Sequence, residues 1–162
     1  MAQQGMAQRA NTGRVTVGGA GAQAGIAPDI AVRLVGALLA LAVAAVHVTD
    51  QGSLTALNSP AWIGWSYRLI EVGGVLTALT LLLTGPARLG RPWFGWAAGV
   101  LLGTGPFLAY VTSRTVGVPG DSGDIGNWGY WVGTVSLIVE AALVVLSVGM
   151  LLGLRRRGPA AQ

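Results

Sequence analysis

Residues 128–154 read WGYWVGTVSLIVEAALVVLSVGMLLGL, a run with one carboxylate (Glu140) and no cation, stopped by Arg155-Arg156-Arg157. A helix of about 20 apolar residues, rising about 1.5 Å per residue, crosses the hydrocarbon core of a bilayer. The run is long enough to do so. The rest of the 162-residue chain agrees: 52% of residues are hydrophobic and only 10% are charged. Mean hydropathy is +0.62. A soluble domain carries about 25% charged residues, so this chain has too few to keep water on all sides of a globule. High apolar content and a net charge of +4 exclude disorder of the whole chain. The absence of cysteine excludes a disulfide scaffold and a thiolate metal site.

Three further apolar runs precede this one. Residues 30–49 follow Pro28-Asp29, a helix-start signal of proline with an acid in the first turn. Ala42-Val43-Ala44 resembles a signal-peptidase site, but the run exceeds the apolar core of about 7–15 residues that such signals carry, and a retained span is expected. Residues 61–84 end at Gly85-Pro86, and residues 92–113 begin with Trp93, Phe94 and Trp96. Aromatic clusters at run ends, including Trp128, Tyr130 and Trp131, read as interfacial belts. Residues 1–27 are rich in Gln, Ala and Gly, with almost no large apolar side chains, and read as a disordered tail. The expected fold is therefore an all-α membrane protein: a four-transmembrane-helix bundle over residues 28–157, with a disordered N-terminal tail and a short tail at 158–162.

All ten cations are arginine. A pI near 10.7 raises the question of nucleic acid, but all of these arginines except Arg68 stand at segment ends, where they set membrane orientation instead. Arg9, Arg14 and Arg33 precede or open the first span, Arg88 and Arg91 lie between spans two and three, and Arg155-Arg156-Arg157 follow span four. The other two connections hold Asp50, Asp121 and Asp124, with Arg114 at one edge. The bias alternates consistently over four spans. It predicts a multi-pass protein of the bacterial cytoplasmic membrane with both termini cytoplasmic.

Helix packing is expected at glycines spaced four apart: Gly95, Gly99 and Gly103 in span three, and Gly149 and Gly153 in span four. Intramolecular packing is the favoured use, with a homo-oligomer or a membrane-protein partner as the other. Pro106 should kink span three. Each span also carries one small or polar stripe at helical spacing. These are Ala37, Ala40, Ala44 and His47; Gly64, Tyr67, Glu71, Gly74 and Ala78; Gly103, Pro106, Tyr110 and Arg114; and Gly133, Ser136, Glu140, Leu143 and Ser147. Turned inward, the stripes predict a polar pocket in the outer half of the bundle.

His47, Tyr67, Arg68, Glu71, Tyr110, Arg114 and Glu140 are its candidate lining, for a small ligand or for protons. A charge at the bilayer centre costs about 2.5–3.5 kcal/mol by insertion scales, so these groups should find partners. Glu71 and Glu140 lie about 15 Å and about 18 Å from the outer ends of their spans. Purely structural roles stay open: Arg68 with Glu71 as a neutralising pair, and Glu140 clamped to Ser136. No spacing supports a metal site, and one histidine per chain gives no bis-histidine haem. Phosphate-binding, dinucleotide and HExxH motifs are absent. No catalytic residue or cofactor is nominated, and an enzyme is the less favoured class. A non-catalytic accessory subunit of a larger membrane complex is the alternative.

The outer loop after span three runs Ser113-Arg114-Thr115-Val116-Gly117-Val118-Pro119-Gly120-Asp121, then Asp124-Ile125-Gly126-Asn127-Trp128. Pro119-Gly120 signals a type II turn, and Asp124 to Asn127 are expected to cap span four. This Ser-Arg-Thr-x-Gly-x-Pro-Gly run, with His47 late in span one and Glu140 in span four, resembles a group of small four-helix membrane proteins of actinobacteria. Val118 stands where that pattern has leucine. The resemblance covers residues 29–154 and implies a four-helix membrane fold, without implying an activity.

Overall fold

The computed structural model describes residues 20–58, 60–84, 91 and 93–156. Four helices make up the fold: α1 (Ala20–Gln51), α2 (Ala61–Leu83), α3 (Trp93–Thr115) and α4 (Trp131–Arg156). Each contains a stretch of 23 or 24 residues apolar enough to cross a membrane. The chain is an integral, multi-pass membrane protein whose helices meet the lipid bilayer. Consecutive helices run antiparallel: α1 packs chiefly on α2 and α3 on α4, while α1 against α4 and α2 against α3 close the ring.

Polarity is arranged inside-out relative to a soluble bundle. Leu38, Leu69, Leu76, Leu101, Ile138 and Val145 face outward, whereas Arg33, His47, Glu71, Ser136, Glu140 and Ser147 are buried. Hydrocarbon solvates leucine as well as a protein core does, so packing and polar contacts hold such helices together instead. Small residues allow the approach. A methyl group added to Gly74 would stand 2.7 Å from the Ala40 carbonyl oxygen, and one on Gly103 would stand 2.8 Å from that of Glu140. Gly95 lies against Leu81 and Gly99 against Ser147, so the span-three glycine stripe packs within the chain. A methyl group added to Gly149 or Gly153, both expected to pack likewise, would meet no described residue within 4 Å.

Three boundaries differ from expectation. The backbone is helical from Ala20, so the last eight residues of the segment read as a disordered tail belong to α1; residues 1–19 lie outside the described residues. A helix nucleated in the apolar span extends outward without a second nucleation step. The Pro28-Asp29 signal marks the start of the apolar span at Asp29, not of the helix. The chain past Trp128 is not yet helical: Trp128, Gly129 and Tyr130 precede α4. Pro106 is accommodated inside α3.

At the end of the bundle where α2 stops, Arg33 is 4% exposed. Its guanidinium donates to the Leu81 carbonyl (3.3 Å) and pairs with Asp29 (3.0 Å). It thereby serves a carbonyl in the last turn of α2, where the helix dipole favours a cation. The Arg33 guanidinium also lies 6.0 Å from the ring centre of the fully buried Trp96, and Gly36 leaves room for that ring.

Candidate functional site

At the opposite end, the α1–α2 and α3–α4 connections meet over the bundle. Pro119 and Gly120 form a turn closed by the Asp121 N–H donating to the Val118 carbonyl (2.9 Å), with Gly120 at φ +83°. A type II turn requires this left-handed third residue, and glycine supplies it without strain. The turn rests on Pro60, and the Trp62 indole N–H donates to the Pro119 carbonyl (3.1 Å).

Arg114 fastens the same loop from below. It is 5% exposed, forms an ion pair with Asp124, and lies 4.5 Å from the centre of the Tyr110 ring. Its carbonyl accepts from the Gly126 N–H (2.9 Å). Asp124 to Asn127 therefore do not cap span four; they stand ahead of α4, and Asp124 is spent on Arg114.

Beneath this cover lies a cavity of about 480 Å³. Five of the seven side chains picked out from the sequence line it: His47, Tyr67, Tyr110, Arg114 and Glu140. The four small-residue stripes do face inward, and Ser136 and Gly133 of α4 reach the same space. The Tyr110 ring lies directly over Gly133, where any side chain would collide with it.

Arg68 and Glu71 are not part of the lining. Glu71 is buried, but it accepts from Arg68 and from the Gln51 amide (2.9 Å). Arg68 also donates to the carbonyls of Ser53 and Ala56. This pair ties the α1–α2 connection to α2, and equal depth does not make Glu71 a companion of Glu140. A helix rotates by about 100° per residue. Tyr67 and Ile70 face the cavity, whereas Glu71 faces the α1 seam with Gly74 and Ala78.

The lining also includes residues outside those candidates, among them Asp50, Tyr130 and Trp62. The hydropathy pattern places Asp50 in a connection, but α1 continues to Gln51, which sets Asp50 one turn after His47. Its carboxylate accepts from the hydroxyls of Tyr67 and Tyr130 (2.6 Å for the latter), joining α1, α2 and the residue just ahead of α4. The spacing of His47 and Asp50 was the available signal. From the sequence, Tyr130 reads as an interfacial aromatic only. The hydrogen bond to Asp50, together with partial burial, pushes its phenol up to about 12, so it remains a donor at all ordinary pH values. Trp62 was legible as nothing more than an apolar residue of span two.

Glu140 is 1% exposed. Its Oε1 accepts from the Ser136 hydroxyl (2.5 Å) and lies 3.8 Å from His47 Nε2. Its Oε2 has no hydrogen-bond partner among the described residues. His47 Nδ1 is 2.9 Å from the Val43 carbonyl, which can only accept, so Nδ1 carries hydrogen and Nε2 is the nitrogen turned to Glu140. A shift of about 1 Å would bring that nitrogen and the carboxyl into hydrogen-bond range. Among the described residues, no three His, Cys, Asp or Glu side chains gather as a metal-binding set. No protein-family model matches the chain, and neither a curated protein nor a solved structure does.

Proposed function

We propose that the loop-end cavity binds a small polar ligand, with Glu140 and His47 able to exchange a proton with it. One observation carries this reading: Glu140 is almost fully buried, lines the cavity, and has at Oε2 no partner among the described residues. A buried acceptor without a partner costs about 1–3 kcal/mol. A ligand donor placed in the cavity removes that cost. The volume of about 480 Å³ falls within the range of small-molecule sites, and the walls mix aromatic and ionisable side chains as such sites do.

The arginine distribution supports a cytoplasmic membrane location with both termini inside, so that the cavity faces outward. The likeness of the Ser113–Gly120 loop pattern to small actinobacterial four-helix proteins points to the same membrane setting. Tight docking of the loops by Arg114–Asp124 and Trp62–Pro119 supports a built cover over the site.

A second reading is an accessory subunit, favoured by the open α4 face at Gly149 and Gly153. Native mass spectrometry of protein released from detergent separates the two. A retained small molecule, lost in a Glu140→Gln variant, supports the cavity. A stoichiometric protein partner with no small molecule supports the accessory reading and overturns the first.

A further inference from the structure

The charge of the cavity wall narrows the ligand class. Four carboxylates line the cavity: Asp50, Asp121, Asp124 and Glu140. The one guanidinium among the lining residues, Arg114, is committed to Asp124. Asp50 and Asp121 have no cationic partner among the described residues, and Glu140 faces only the His47 imidazole. Neutral donors alone hold Asp50: the two tyrosine hydroxyls. They draw the rings of Tyr67 and Tyr130 to its side, and Trp62 completes the aromatic wall.

Carboxylates beside aromatic faces are what an organic cation selects, since ring quadrupoles and fixed negative charge act together on an ammonium group. The Oε2 of Glu140, buried in the same wall, adds an acceptor that no described residue uses. A bare metal ion fits less well, because the carboxylates are spread over α1, α4 and the α3–α4 loop and do not converge. Resting on the proposal that this cavity is a binding site, we infer that its ligand is a small organic cation bearing an amine or quaternary ammonium group.

The test compares three probes of one shape on the full chain in detergent: choline, its neutral isostere 3,3-dimethylbutan-1-ol, and the anion 3,3-dimethylbutanoate. Calorimetry reads the affinities, and tryptophan fluorescence reads them independently. Choline is expected to bind saturably and at least about tenfold more tightly than either of the others. Asp121→Asn, a shape-preserving change on the loop, is expected to weaken choline several-fold and leave the neutral alcohol unaffected. Asp50→Asn is expected to do the same, with circular dichroism checking its fold. Equal or tighter binding of the alcohol or the anion overturns the cation assignment while leaving the cavity as a binding site. Failure of all three probes also overturns it, and retained ligand in native mass spectrometry then decides separately whether the cavity binds anything.

Discussion

Replacing Glu140 by glutamine keeps an acceptor for the Ser136 hydroxyl and strands no cation. Replacing Glu71 by glutamine removes the charge that Arg68 pairs with in a mostly buried setting. Glu71→Gln is therefore expected to lower stability by about 1.5–3 kcal/mol, the range for hydrogen bonds to charged groups, and Glu140→Gln by under about 1 kcal/mol. Thermal melts of both variants in one detergent check the order. Tyr130 offers a test by pH. A phenol raised to about 12 from an ordinary value near 10 stabilises the fold fully below about pH 10 and ceases to do so as pH rises through about 12. The melting difference between the parent and Tyr130→Phe should be constant up to pH 10 and shrink above it. At this scale the sequence marked ionisable residues well and their partners poorly. Glu71 and Glu140 stood out because carboxylates are rare in apolar runs. Which of them reaches the cavity depends on helix rotation about the axis, and Arg68 three residues from Glu71 was the only local clue.

At the scale of the helices, the glycines divide into two groups with opposite expectations. A methyl group on Gly103 would press on the α4 backbone, and one on Gly149 would meet no described residue within 4 Å. Gly103→Ala should cost about 1–3 kcal/mol by overpacking, whereas Gly149→Ala should be neutral or slightly stabilising through helix propensity. Denaturation of the two variants side by side checks this. Both glycines showed the same spacing in the sequence, since GxxxG marks a face able to pack but not whether a helix lies opposite. The four spans themselves were legible within a few residues, because length and hydropathy decide them. The start of α4 was not, because Trp128 and Tyr130 suit an interface equally as helix or as turn. The α3–α4 loop makes a further case. Asp124→Asn removes the ionic partner of Arg114 and should speed amide hydrogen exchange across residues 116–130 while leaving α1 and α2 unchanged.

For the whole molecule, the account is a membrane bundle that turns small and polar faces inward and keeps a polar cavity at one end. Its orientation rests on arginine placement. Cysteines substituted for Ser53 and Ser122, both exposed at the loop end, should react with an impermeant thiol reagent in intact cells, and one substituted for Ala160 should not. The reverse pattern would invert the topology. The cavity can be probed directly, because the chain has no cysteine of its own. Ser136 and Ser147 are both buried on one face of α4, but only Ser136 lines the cavity. The measurement is the rate at which a small water-soluble methanethiosulfonate modifies Ser136→Cys and Ser147→Cys in membranes. The account predicts ready modification at position 136 and none at 147 until the protein is unfolded. Protection of both positions, or equal reaction at both, would contradict it.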